Sequence, residues 1–175
     1  LEKALAPDYD QLADAISTQY GRLDGLVHCA GILGTLTPIE HYDVPTWCKV
    51  LHVNVTAAFV LTQVLLPLLR QSADASVLFT SSSVGRQGRA YWGAYSVSKF
   101  AVEGLGQVLA AETSGNTTVR VNVINPGPVR TLLRRQAFPS ENVDSLALPA
   151  DVAPTYLWLL GPDARGLTGQ SIDAQ

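Results

Sequence analysis

The sequence is poor in cysteine, lysine and charge. Only two cysteines occur, Cys29 and Cys48. That number excludes a secreted disulfide framework, and their separation excludes paired zinc-ligand spacing. Charged residues are 15% of the chain, the net charge is −3 and no basic run exists. Composition therefore argues against nucleic-acid or anionic-membrane partners. The longest apolar stretch, Ala57 to Leu69, contains Thr62, Gln63 and Pro67, and it falls short of the ~20 residues of a membrane span. No secretory leader pattern opens the sequence. These absences point to a reduced, soluble, cytoplasmic enzyme. What is present suits one domain over residues 1–175, with 47% apolar residues to build its core. Lysine occurs only at Lys3, Lys49 and Lys99. Lys99, set among Ser98, Phe100, Ala101 and Val102, is singled out as more than solubilising charge.

Periodicity supplies the elements. Leu12, Ile16 and Tyr20 recur every fourth residue and predict a helix over 8–20, with Asp8 or Asp10 at its start and Gly21 at its end. Leu26 to Cys29 reads as a short strand closed by Ala30-Gly31. Residues 44–70 read as a long helical region with Pro45 in its first turn and Asn54 interrupting the apolar pattern. Val77 to Phe79 is a second strand running into Thr80 to Ser83. A third helix spans 94–113. Val119, Val121, Val123 and Ile124 mark a third strand, halted by Asn125 to Pro128. Residues 129–148 read as irregular or weakly helical, followed by a helix from about 151 to 160 and a last strand within 169–173. This alternation predicts an α/β fold with a parallel sheet and helices on both faces.

Tyr95 and Lys99 are four residues apart near a helix start, so they share one face. An ammonium near a phenol favours the phenolate and should lower its pKa toward the range useful in proton transfer. An ordinary surface pair on an amphipathic helix would have the same spacing. Ser82 follows the second strand at its carboxyl end, where parallel α/β sheets bind ligands. Gly31 and Pro126-Gly127 also follow strands directly, so these positions should collect on one rim. A serine hydroxyl there can bond a substrate oxygen as charge develops, although Ser81 and Ser83 beside it also fit a plain polar loop.

Taken together, His28-Cys29-Ala30-Gly31, Asn54, Ser82, Tyr95-Ser96-Val97-Ser98-Lys99 and Asn125 to Thr131 resemble the C-terminal two-thirds of a short-chain dehydrogenase/reductase. The stretches Phe79 to Tyr95, Gln136 to Glu141 and Ser171 to Gln175 further resemble the YciK-type bacterial oxidoreductases. The resemblance implies a Rossmann-like sheet and an NAD- or NADP-dependent interconversion of alcohol and carbonyl by hydride transfer. Tyr95 would move the hydroxyl proton. Lys99 would depress the Tyr95 pKa and bond the nicotinamide ribose. Ser82 would hold the substrate oxygen, and Asn54 would anchor a water in a proton relay. Cys29, Ala30 and Gly31 would lie along the cofactor's adenosine part. Pro126, Gly127, Val129 and Thr131 would line its nicotinamide and pyrophosphate side. No metal site is expected.

Two departures accompany the resemblance. Cys29 stands where the family usually has an asparagine that bonds the neighbouring strand, which puts local sheet stability in question more than catalysis. The family's TGxxxGxG loop, its first three strands and the residue that selects NAD or NADP have no counterpart here. The resemblance therefore implies a longer protein, with Leu26 to Cys29 lacking a partner strand. The segment between Thr131 and Asp151 matches the family's substrate-covering lid. Its Leu132, Leu133 and Phe138 suit an apolar substrate, and Arg134 and Arg135 an anionic one. Tyr91 and Trp92 are further pocket candidates. Family members form dimers or tetramers, for which Ala57, Phe59, Val60, Val64, Phe100, Val108 and Leu109 offer apolar surface. The alternatives are an inactive nucleotide-binding regulator or scaffold of the same fold, and a sugar-nucleotide epimerase, for which too little chain follows Thr131.

Overall fold

A computed structural model describes all residues, 1–175. The helices are α1 (Ala6–Tyr20), α2 (Val44–Leu51), α3 (Ala57–Leu69), α4 (Gly93–Thr113), α5 (Leu132–Ala137) and α6 (Pro149–Leu160). The strands are β1 (Gly25–His28), β2 (Ala75–Thr80), β3 (Val119–Asn125) and β4 (Ser171–Asp173). They form one four-stranded sheet in the order β1-β2-β3-β4, every pair parallel. All the strands read from periodicity are present, each within a few residues of its expected bounds.

Alternation in β2 and β3 divides the core. Ala75, Val77, Phe79, Val119, Val121 and Val123 pack with Leu69 of α3 and Val102, Leu109 and Ala110 of α4. Leu78 and Ile124 point to the opposite face and pack with Leu159 of α6. Helices thus cover both faces, which is why the central strands carry continuous apolar runs. Start signals work as expected in physical terms. The Asp8 carboxylate accepts from Leu5 N at 2.7 Å, Asp43 from Thr46 N at 2.8 Å, and Asp151 from Leu148 N at 2.7 Å.

Three expectations need correction. The long helical region expected over 44–70 is present as one run of 26 residues, Val44–Leu69, made of α2, a π-helical turn over His52–Thr56 and α3. What is corrected is the expectation that no stretch reaches the length of a membrane span: this run is long and apolar enough to cross a membrane by length and composition. Its Val50, Val53, Ala57, Leu65 and Leu69 are buried against the rest of the chain. Segment 129–148 holds a defined helix, α5, capped by Thr131, whose hydroxyl accepts from Arg134 N at 3.1 Å. Of the residues expected to offer apolar surface, Phe59, Phe100 and Val108 are exposed, but Ala57 and Leu109 lie in the core.

Two polar groups are built into the sheet. Arg120 of β3 is buried and bonds Asp74 at 2.9 Å and the carbonyls of Leu159 and Gly161 at 2.8 and 3.2 Å. A guanidinium is thereby fixed at the C-terminal end of α6, where helix carbonyls lack partners and attract positive charge. His28 of β1 stacks on Phe79 at 4.7 Å and bonds the Thr62 hydroxyl at 2.8 Å. Burial pushes its pKa down to about 4.

Arg120→Ala should cost ~3–5 kcal/mol in urea unfolding, because it leaves Asp74 and several carbonyls without their partner. His28 should make the fold acid-sensitive. Between its ordinary value near 6.5 and about 4, the unfolded chain holds a proton on His28 that the folded chain refuses. Stability should therefore drop as pH falls through that window, by up to ~1.4 kcal/mol per unit. His28→Asn should flatten the pH dependence of the urea midpoint between pH 7 and 5.

Candidate active site

The carboxyl ends of β1, β2 and β3 open into one crevice of about 560 Å³. Cys29 and Gly31 arrive after β1, Ser82 after β2, and Pro126, Gly127, Val129 and Thr131 after β3. Tyr95 and Lys99 enter from the first turns of α4. A parallel sheet aligns all its strand ends on one edge, so residues far apart in sequence meet there. Ala30 and Asn54 do not line the crevice.

Asn54 instead supports its wall. Its amide donates to Ile32 O at 3.0 Å and to Ser98 Oγ at 2.9 Å, and its Oδ1 accepts from Ile32 N at 2.8 Å. The side chain thus spans the π-helical turn, the loop after β1 and helix α4. A π turn rotates the helix locally and is a frequent feature of functional sites.

Lys99 is 5% exposed. Its ammonium donates to Thr80 O at 2.7 Å, which ties α4 to the end of β2. A lysine has three N–H groups, so two remain to be offered into the crevice. The ammonium lies 5.5 Å from the centre of the Tyr95 ring, and burial pushes its own pKa down to about 8. The Tyr95 phenol is not lowered by this neighbour. Burial pushes it up to about 12, and a bond with the Ser82 side chain opposes that rise. The expectation of a depressed phenol is therefore corrected: desolvation outweighs the nearby charge, and the protonated phenol is the stable form in this crevice.

The turn carrying Ser82 is held from behind. Arg86 bonds Asp173 and Ser171 Oγ, both at 2.7 Å, and Glu103 at 3.3 Å. Glu103 lies one turn beyond Lys99 on α4 and accepts from Ser171 Oγ at 2.7 Å. Gly85 fits tightly: a Cβ there would come within 2.8 Å of the Lys99 backbone and of Ser81 Oγ. On the far rim, Gln175 Nε2 donates to Pro126 O at 2.6 Å and to Pro128 O at 3.3 Å, beside Gly127 at φ +72°.

Sequence reasoning missed the contribution of α6. Val152, Ala153, Tyr156 and Leu157 line the crevice, and the Tyr156 hydroxyl lies 3.2 Å from Thr80 Oγ1. The helix itself was evident, but its own pattern does not say that one face overhangs a site. Trp92, Leu133, Arg134 and Ala137 line the crevice too, whereas Tyr91 is 61% exposed and outside it. Tyr91 adopts φ 73°, a costly conformation for a bulky residue, just before α4 begins.

Residues 5–142 match the family model of the short chain dehydrogenases. The chain is 54% identical over 165 residues to the oxidoreductase YciK of Escherichia coli K12, covering 94% of this chain and 65% of that protein. It is 30% identical over 178 residues to the 3-oxoacyl-[acyl-carrier-protein] reductase FabG of Thermotoga maritima, covering 94% of this chain and 71% of that protein. Among solved structures, a short chain dehydrogenase from Salmonella enterica superposes with TM-score 0.97 at 54% identity, over 100% of this chain and 72% of that one. One from E. coli CFT073, complexed with NADPH, superposes with TM-score 0.96 at 53% identity, again over 100% of this chain and 72% of that one. The chain thus spans about two-thirds of the length of these proteins, and it belongs to the short chain dehydrogenase family of oxidoreductases.

Proposed function

We propose that this crevice interconverts an alcohol and a carbonyl with a nicotinamide dinucleotide, NADP(H) in the first instance. The observation that carries the reading is the convergence of Ser82, the buried Tyr95 phenol and the buried Lys99 side chain at the strand ends. The NADPH complex of a relative 53% identical to this chain supports the choice of cofactor; NAD is the alternative.

The residues present fit such a cofactor. Two N–H groups of Lys99 are free to meet a ribose diol, since only Thr80 O takes the third. Gly31 leaves the wall open beside Lys99: a Cβ there would lie 3.7 Å from its ammonium. Thr131 uses its oxygen to cap α5, which leaves its O–H to donate toward a carboxamide or phosphate. Cys29 and Ala30 would face the adenosine side, and Pro126, Gly127 and Val129 the nicotinamide side. When bound, the dinucleotide supplies or accepts the hydride.

The protein's part is placement and proton movement. Ser82 donates to the substrate oxygen. Tyr95, held neutral by burial, gives its proton to that oxygen as carbonyl becomes alcohol, and takes it back in reverse. The Lys99 ammonium stands near enough to steady the phenolate that this leaves. Asn54 holds Ile32 and Ser98, and so the walls on either side of Lys99; an ordered water near it would return protons to Tyr95. Exposed Phe59, Phe100 and Val108 on α3 and α4 suit contact with a second copy of the chain.

Tyr95→Phe, in protein expressed from its complete gene, should lower kcat for carbonyl reduction by roughly 10²–10⁴-fold. NADPH affinity, followed by fluorescence titration, should stay within a few-fold. Unchanged turnover would remove Tyr95 from the proton step. Gly85→Ala should force α4 and the Ser82 turn apart, costing ~1–3 kcal/mol of stability. It should also lower kcat more than it raises the cofactor KM.

A further inference from the structure

The crevice carries charge in only two of its lining side chains, Lys99 and Arg134. Lys99 is nearly inaccessible and is anchored to Thr80 O. With the exposed Arg89 outside the lining, Arg134, on α5, is therefore the one cation that lines the crevice beside Trp92 and Leu133. Its charge is already committed. Arg134 Nε donates to Glu141 Oε2 at 2.7 Å and Nη2 to Oε1 at 2.5 Å, a two-pronged pair with both side chains 25% exposed. The face of the guanidinium lies 3.9 Å from the centre of the Phe138 ring. Phe138 in turn packs on Trp92 at 5.7 Å, and Arg89 lies over both rings. The aromatic stack and the carboxylate fix Arg134 from two sides. The Arg134 guanidinium also holds the Glu141 carboxyl below the usual carboxylate range, so the pair stays ionised at neutral pH.

The other arginines of the segment give an anion no better purchase. Arg130 pairs with Asp144 at 3.0 Å, and Arg135 is exposed and outside the crevice lining. The remaining substrate-end wall is apolar: Trp92, Leu133, Ala137, Val152, Ala153 and Leu157. A carboxylate entering here would compete with Glu141 for one guanidinium while facing a like charge beside it. A neutral ring or chain would meet only the apolar wall.

We propose that Glu141, by neutralising Arg134, makes this crevice selective for neutral, apolar alcohols or carbonyls and against carboxylate-bearing ones. This rests on the oxidoreductase reading for the reaction, but the selectivity is a property of binding and can be read separately.

The test uses two ketones on one scaffold, methyl 6-acetyl-2-naphthoate and 6-acetyl-2-naphthoate, with protein expressed from its complete gene in the presence of cofactor. Kd is measured by calorimetry with NADP⁺, and KM by NADPH oxidation. The wild type should favour the ester by at least about tenfold, the scale of one charge-assisted hydrogen bond. Glu141→Gln frees Arg134 and should shrink that preference by about tenfold, through tighter binding of the acid. The double variant Arg134→Gln/Glu141→Gln is again neutral and should restore a preference close to wild type, which a merely structural role for the pair would not produce. Equal or tighter binding of the acid by wild type, an unchanged ratio in Glu141→Gln, or binding of neither probe overturns the proposal. The expected binding pattern without turnover of either ketone upholds the selectivity and counts against the oxidoreductase reading. Turnover without the preference does the reverse.

Discussion

The bond from the Lys99 ammonium to Thr80 O is the contact on which the site depends. It crosses from the helix that carries Tyr95 to the strand that delivers Ser82. An ammonium with so little exposure is costly unless its donors are met, so the contact holds α4 at a fixed height above the sheet. Gly85 allows the same approach from the other side, since any side chain there would strike the Lys99 backbone. Asn54 completes the bracket by fastening Ser98, the residue before Lys99, to the loop after β1. The geometry of the crevice follows from backbone carbonyls and a missing Cβ as much as from its polar side chains.

Burial sets the chemistry of the two titrating residues in opposite directions. The ammonium loses affinity for its proton, to about 8, while the phenol gains, to about 12. Both shifts have one cause, since a dry crevice disfavours whichever form is charged. The two values, nearly equal for the free side chains, are therefore driven apart. In the proposed reaction, Tyr95 would exchange its proton with the substrate oxygen from the neutral phenol, with the ammonium steadying the negative charge left behind.

The sheet, its order along the chain and the rim that gathers Gly31, Ser82, Tyr95, Lys99 and Pro126-Gly127 were legible because strand ends and helix starts leave strong local signals. Less local features were not. The π turn at Asn54 registered only as a polar break in an apolar run, since one extra backbone residue has no composition of its own. The role of α6 over the crevice depends on its register against β2, through Ser76 and Thr80 bonded to Leu159 and Tyr156. The direction of the Tyr95 shift could not be read from spacing either. Spacing tells which charges are neighbours, while desolvation depends on how much of the chain closes over them. Arg134 was visible as a charge in a lid, but whether it faces an anion or is already satisfied turned on Glu141, seven residues away.

The ties behind the Ser82 turn come from the far end of the sequence. Arg86 reaches Ser171 and Asp173, and Gln175 pins the carbonyls flanking Gly127. A nascent polypeptide still emerging from the ribosome has made Tyr95 and Lys99 long before residues 171–175 exist. In that interval the Ser82 turn lacks the ties from Arg86 to Ser171 and Asp173, and the carbonyls beside Gly127 lack Gln175. The rim of the crevice is thus fastened only after synthesis has reached β4.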